Sequence, residues 1–433
     1  MIHALRRMDS PIRFTISNHS AVCAARVGRV ETPHGSFDTP AFMPVGTKAS
    51  IKGLTPDHIR GTGSQIILNN AYHLMLRPGD DLIARLGGVH KFMRWDGPIL
   101  TDSGGYQAFS MSNINRVDDD GVTFQSIVDG SMVHLGPERA MEVQNNLGAD
   151  IIMAFDDCPP CETSKSLNVQ TSKNDVQCPS MCDPEYLDRP MPPEHRLRLR
   201  AANERTARWL ERCKAAHRRP DEQALFGIVQ GGIDLELRRQ SAQQICNIDV
   251  PGYAIGGVAV GESAELIRSV VKFTAPMLPV EKPRYLMGVG YERDILAAVK
   301  AGVDMFDCVL PTRNGRNANA FARTGRLHLR NSKYREDDEV IEPGCGCLAC
   351  AGPAENSAGR GFSRAYLRHL FAANEMLGPI LVSIHNIHHF QALLLDIRQA
   401  IRDDDWPLLE RSWPVLKAEK SECSDQRSDT SDL

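Results

Sequence analysis

The chain has 433 residues, of which 42% are hydrophobic and 24% charged, and its formal net charge is -4. That length suits one large domain with a smaller attachment, or two domains, and the mild acidity argues against indiscriminate nucleic-acid binding while leaving room for a local basic patch. No apolar run reaches the length of a membrane span. The opening Met1-Ile2-His3-Ala4-Leu5-Arg6-Arg7 lacks the long apolar core of a signal peptide. The twelve cysteines cluster instead of spreading, which points to a reducing compartment and to metal. A cytoplasmic protein with no membrane association is expected.

Residues 1–20 read as a lead-in. The stretch 27–37 alternates and turns at Pro33-His34-Gly35, as a small hairpin would. Short apolar runs then recur at 41–45, 65–69, 98–101, 150–155, 224–229, 253–255, 284–289 and 305–310. Amphipathic segments at 80–86, 137–147, 194–216, 235–245, 264–273 and 292–301 separate them, and Gly136-Pro137 is a sound helix start. Eight such units over roughly 270 residues predict an α/β fold, a TIM (β/α)8 barrel, with a doubly wound open sheet as the competitor. The expected organisation is a barrel over 21–335, a C-terminal zinc-binding subdomain over 336–416 and a disordered tail over 417–433.

A barrel places its chemistry at the carboxyl ends of the strands. The predicted ends carry Asp102-Ser103-Gly104-Gly105-Tyr106-Gln107, then Asp156-Asp157-Cys158, Gln230-Gly231-Gly232, Gly256-Gly257 and Met287-Gly288-Val289-Gly290. The eighth run delivers Asp307, followed by Arg313 and Arg316. A lone carboxylate in an apolar run is costly unless paired or neutralised. Asp307 is therefore either a turn cap or partner of Arg313, or a reactive group beside phosphate-holding guanidinium groups.

The stretch 159–193 breaks the rhythm and reads as a surface insertion after the fourth strand. Its Cys161, Cys178 and Cys182, with Cys158, are candidates for a second metal site, or simply free cysteines. Cys345, Cys347 and Cys350 lie within six residues, a spacing that suits tetrahedral zinc. The fourth ligand is one of His369, His385, His388 and His389, and a full protein ligand set implies a structural zinc. Between Arg313 and Arg335 there are seven Lys/Arg residues and no carboxylate. In an otherwise acidic chain that contrast favours a phosphate-bearing partner, with folded RNA and an extruded base fitting a barrel mouth best.

With these residues in view, the chain resembles the tRNA-guanine transglycosylases from about residue 14 to residue 413. The matching motifs are Asn70-Ala71-Tyr72-His73-Leu74-Met75-Leu76-Arg77-Pro78-Gly79, Thr101 to Gln107, Tyr285-Leu286-Met287-Gly288-Val289-Gly290, and Phe306-Asp307-Cys308-Val309-Leu310-Pro311-Thr312-Arg313. The cysteine knuckle and Ile384-His385-Asn386 also match, which selects His385 as the fourth zinc ligand. The resemblance implies exchange of guanine at the anticodon wobble position of tRNAs for Asp, Asn, His and Tyr, which carry G-U-N, for a 7-deazaguanine.

In that family pattern Asp307 is the nucleophile, which forms a covalent ribose intermediate, and Asp102 the acid and base. Ser103, Asp156, Gln230 and Gly257 read the polar edge of the base, together with Asp102. Tyr106 and Met287 sandwich its ring, and Arg313 and Arg316 grip the tRNA anticodon loop. The family also implies a homodimer. Cys158 and Val260 match the bacterial-type pocket, which takes the aminomethyl prequeuosine base. The stretch 208–217 and Gly290-Tyr291 look more like the queuine-using eukaryotic type, and Val258 stands where leucine is usual. The bacterial type is preferred. Queuine use and a noncatalytic partner subunit are the alternatives.

Overall fold

The computed structural model describes residues 10–110, 115–159, 191–352 and 361–417. Most of the expected insertion, with Cys161, Cys178 and Cys182, and all but one residue of the expected tail lie outside the described residues.

Eight strands close on one another: β1 Ala41–Gly46, β2 Ile67–Asn69, β3 Ile99–Thr101, β4 Ile151–Met153, β5 Ala224–Val229, β6 Gly252–Ile255, β7 Arg284–Leu286 and β8 Met305–Cys308. Every pairing is parallel, and β8 returns to β1 with Met305 opposite Ala41. That closure is the TIM barrel and rules out the open sheet. The strands are nearly all-apolar and buried, as parallel strands covered on both faces must be.

Three strands stop short of their apolar runs, the fourth ending at Met153. The seventh ends at Leu286 before Gly288 takes a φ of +74°, a conformation that favours glycine. The eighth ends at Cys308, because Leu310 opens a helix, Leu310–Arg316, with Pro311 in its first turn where no N–H is needed.

The barrel floor is plugged by a sheet of Arg13–His19, Arg26–Thr32 and Gly35–Thr39. The last two strands are the expected hairpin; the first arises from the stretch read as lead-in. Val30 and Phe37 are fully buried against the interior residues Met43, Leu100 and Phe226. Arg26 forks onto Asp304 at 2.8 and 2.6 Å, just below β8. Nearby, Asp150 accepts from His34 at 2.8 Å and His90 at 3.1 Å, whose rings stack 3.6 Å apart. A three-stranded sheet, Asn115–Val117, Val122–Gln125 and Met132–Leu135, follows β3 and had no clear sequence signal.

After β8, the hairpin Asn319–Ala322 and Gly325–His328 leads to the C-terminal helices, of which Leu377–Asp403 is the longest at 27 residues. That helix packs on Leu310–Arg316 so closely that a Cβ at Gly315 would lie 2.6 Å from Ser383 Oγ. Buried Asn386 donates to the carbonyls of Pro311 and Asn319, each at 2.9 Å, and accepts from Phe321 N at 3.0 Å. The segment that follows Asp307 is thus held by the C-terminal helix.

Candidate active site and metal centre

Side chains alternate along a strand, so the inward row of each barrel strand continues into the residue above it. Met305, Tyr285, Leu100, Leu68 and Ile228 fill the interior. One alternation further up stand Asp307, Met287, Asp102, Asn70 and Gln230. The core pattern and the polar rim are one register.

Asp307 Oδ1 accepts the Tyr285 hydroxyl at 2.6 Å and the Gly288 amide at 2.8 Å. Burial pushes its carboxyl above the usual range, against these two hydrogen bonds. Both bonds land on one oxygen, so Oδ2 is the atom available to a substrate. Asp102 accepts from Ala71 N at 2.8 Å and from the Asn70 side chain. Asn70 also caps the helix Ala71–Leu76 by accepting from His73 N. Burial lifts Asp102 to about 7, the Ala71 amide opposes it, and the charge of Asp307 adds to the rise.

Asp156 anchors the other side. Gln230 Nε2 donates to it at 2.5 Å and Ser103 Oγ at 3.4 Å. Burial raises it to about 7 against those two bonds, with Asp157 adding to the rise. A Cβ at Gly257 would lie 2.1 Å from Gln230 Oε1, so only glycine fits there. Ser103, Asp156, Gln230 and Gly257 therefore form one contact chain. Tyr106 is 44% exposed, on the helix after β3, and Met287 is half-buried above β7. Three raised carboxyls, one of them beside a tyrosine hydroxyl, suit proton transfer and nucleophilic attack in one pocket.

Sequence reasoning missed three residues. Tyr285 and Asn70 lay inside quoted motifs but were given no role, and alternation along β7 would have pointed Tyr285 inward. Arg238 had no signal at all. It is fully buried, in the first turn of the helix Leu235–Cys246, beneath the glycines that follow β5 and β6.

The Sγ atoms of Cys345, Cys347 and Cys350 lie 3.8, 3.5 and 3.3 Å from His385 Nδ1. The other ring nitrogen, Nε2, donates to Phe321 O at 2.7 Å, which leaves Nδ1 bare as a ligand. These four residues form a set that can hold a metal ion. Of the other candidate histidines, His389 instead pairs with Glu292 at 2.9 Å. Cys158 is buried away from this cluster, and burial pushes its thiol up.

Arg313 and Arg316 project from the short helix after Asp307 and are half-buried. Lys48 and Lys52 lie near them: Arg316 above all lowers Lys52, with burial, Lys48 and Arg313 adding. His73 is lowered by burial and by the same two lysines. The remainder of the basic run divides. Arg323 stacks on Trp413 at 4.4 Å and reaches Asp396 at 3.4 Å, while Arg330 Nη1 donates to Phe371 O at 3.2 Å. These two fasten the C-terminal helices, so the basic surface is smaller than the run implied and includes Lys48 and Lys52 from another loop. Among the described residues, no helix is long and apolar enough to cross a membrane.

The family model described as queuine tRNA-ribosyltransferase matches residues 21–175 and 184–414. A queuine tRNA-ribosyltransferase of Cyanothece sp. is 47% identical over 405 residues, covering 94% of this chain and 96% of that protein. One from Geobacillus kaustophilus is 46% identical over 397 residues, covering 92% and 94%. One from Pelotomaculum thermopropionicum is 48% identical over 391 residues, covering 90% and 95%.

Proposed function

Because the chain belongs to the queuine tRNA-ribosyltransferase family, we propose that it exchanges guanine at the wobble position of G-U-N tRNAs for 7-aminomethyl-7-deazaguanine. The observation that carries this is the pairing of Asp307, its Oδ1 held and its Oδ2 free, with Asp102 raised to about 7.

Asp307 Oδ2 attacks ribose C1′, the C1′–N9 bond breaks, and guanine leaves with the electron pair. Protonated Asp102 supplies the proton. The ionised Asp102 then takes the N9 proton of the incoming base, which attacks C1′ and restores the Asp307 carboxylate. Two displacements retain the anomeric configuration. Ser103, Asp156, Gln230 and Gly257 read the edge of the base, Tyr106 and Met287 sandwich it, and Arg313 and Arg316 hold anticodon-loop phosphates.

Zinc is the metal proposed for Cys345, Cys347, Cys350 and His385. A tetrahedral zinc, with about 2.3 Å to sulfur and about 2.0 Å to nitrogen, sets sulfur and nitrogen about 3.5 Å apart. The three observed separations, 3.3 to 3.8 Å, bracket that value. Its role is structural, since four protein ligands leave no open position. The reaction is assigned to the cytoplasm, and a homodimer is carried over from the resemblance.

The test is incorporation of labelled guanine into unmodified tRNA, then a chase with prequeuosine base or queuine. Loss of label with the aminomethyl base alone supports the proposal, and loss with queuine alone replaces the base. No exchange, with tRNA still bound, favours the noncatalytic subunit, although the presence of both Asp102 and Asp307 speaks against it. Asp307→Ala should abolish the denaturant-resistant RNA adduct.

A further inference from the structure

Two glycine pairs of the base pocket, Gly231-Gly232 and Gly256-Gly257, wrap a single buried guanidinium. Arg238 Nε donates to Gly232 O at 2.7 Å, Nη1 to Val229 O at 3.1 Å and Gly256 O at 2.7 Å, and Nη2 to Gly257 O at 2.9 Å. Three of these glycines have positive φ, +126° at Gly231, +56° at Gly232 and +61° at Gly257. A Cβ at Gly231 would lie 2.8 Å from Arg238 N. The turns adopt these conformations around the guanidinium, and side chains would block them.

An arginine that is fully buried is costly unless its N–H groups are satisfied. Four carbonyls satisfy this one, and no carboxylate neutralises it at salt-bridge distance among the described residues. Burial lowers its pKa to about 10, which keeps it charged at neutral pH. The charge of Glu262 favours the guanidinium as well, but among the described residues the hydrogen bonds of Arg238 all go to backbone oxygens, and these orient peptide planes.

The orientation matters because a trans peptide points its C=O and N–H in opposite directions. With Gly257 O turned onto Arg238, the following Val258 N–H points away from the guanidinium. Among the described residues, neither the Gly257 nor the Val258 amide has a backbone acceptor. The Gly257 Cα also sits against Gln230, whose side chain runs on to Asp156. The same helix anchors Gln230 from behind, since Gln230 N donates to Ser241 Oγ at 2.9 Å.

We propose that Arg238 is a positioning residue for base recognition: by fixing the Gly256 and Gly257 peptides it sets the hydrogen-bonding edge that the pocket offers to the nucleobase. It acts through the backbone and touches no reacting atom. The inference rests on the base-exchange reading above and adds a specificity determinant to it.

The experiment measures guanine affinity by calorimetry, and tRNA affinity by filter binding, for the full chain and its Arg238→Lys and Arg238→Met variants. Arg238→Met should weaken guanine at least 30-fold while tRNA affinity stays within twofold. Arg238→Lys, which keeps the charge with fewer donors, should recover part of the loss. If Arg238→Met does not fold, Arg238→Lys decides, with a fivefold or greater loss for guanine alone expected. Unchanged guanine affinity in the folded variants, or equal losses for guanine and tRNA, would overturn the role of Arg238. A native chain that binds guanine without exchanging it would strike the exchange reading and leave the Arg238 comparison decisive. One that binds no guanine overturns both.

Discussion

The Tyr285 hydroxyl lies 2.6 Å from Asp307 Oδ1, on the same oxygen that accepts the Gly288 amide. Neighbouring strands β7 and β8 bring the two together. The hydrogen bonds oppose the burial that would keep the carboxyl protonated. A hydrogen bond to a charged group contributes about 1.5–3 kcal/mol, or roughly 1–2 pKa units. Tyr285→Phe should therefore raise Asp307 further and shift the onset of adduct formation to higher pH. The rate loss should be larger at low pH, where the carboxyl is protonated, than at high pH. Quenched single-turnover adduct assays across pH would show it, and an unmoved onset would mean that Tyr285 does not tune Asp307.

Asp102 and Asp156 share one pocket, each lifted to about 7. The charge of Asp156 adds to the rise at Asp102, behind burial and the charge of Asp307. Protonated Asp102 can give a proton to a leaving base, and the ionised form cannot. Because its folded pKa is raised, the donor form persists up to about 7 and is lost as pH rises through that value. Guanine expulsion should accordingly fall above neutrality. Asp102→Asn should slow adduct formation by about 100-fold or more, the usual contribution of a general acid, and should remove that alkaline fall. A variant that kept it would assign the proton to another group.

The candidate metal site makes a separate demand. Cys347 is fully buried, and its Sγ lies 3.5 Å from His385 Nδ1. Removing one thiolate leaves three ligands, and metal binding to such sites is folding free energy. Cys347→Ser should lose the metal equivalent and lower the melting temperature, on the order of 10 °C. Because Asn386 adjoins His385 and holds Pro311 and Asn319, tRNA affinity should fall as well. Full metal content by elemental analysis would sink the four-ligand assignment.

The barrel was legible because its strands are short buried apolar runs between amphipathic helices, and strand alternation carries straight up to Asp102 and Asp307. The three-stranded sheet after β3 was not, since Val122–Gln125 and Met132–Leu135 are four residues each and lack a sustained pattern. Arg238 was invisible for a different reason. In Leu235-Glu236-Leu237-Arg238-Arg239-Gln240 nothing separates the fully buried arginine from its exposed neighbour. Only the four carbonyls above Arg238 distinguish them, and two of these come from Gly256 and Gly257, 18 and 19 residues further along the chain. The basic run misled in part because charge along a chain does not say which side chains fasten onto neighbouring helices, as Arg323 and Arg330 do.

Arg313 and Arg316 follow Asp307 on one helix, while Lys48 and Lys52 come from the loop after β1. The depression of Lys52, led by Arg316, shows that these positive groups crowd one another. Among the described residues no carboxylate pairs with them. A like-charge cluster is strained until a polyanion relieves it. Each phosphate contact to a single-stranded loop contributes about 0.7 to the slope of log affinity against log salt. Arg316→Ala should lower that slope by about 0.7, and Lys52→Ala should do likewise if this loop shares the same backbone. Arg323→Ala should leave the slope unchanged and lower stability instead, through the lost stacking on Trp413. A slope that responds to Arg323 but not to Arg316 or Lys52 would move the RNA surface from the barrel mouth to the C-terminal helices.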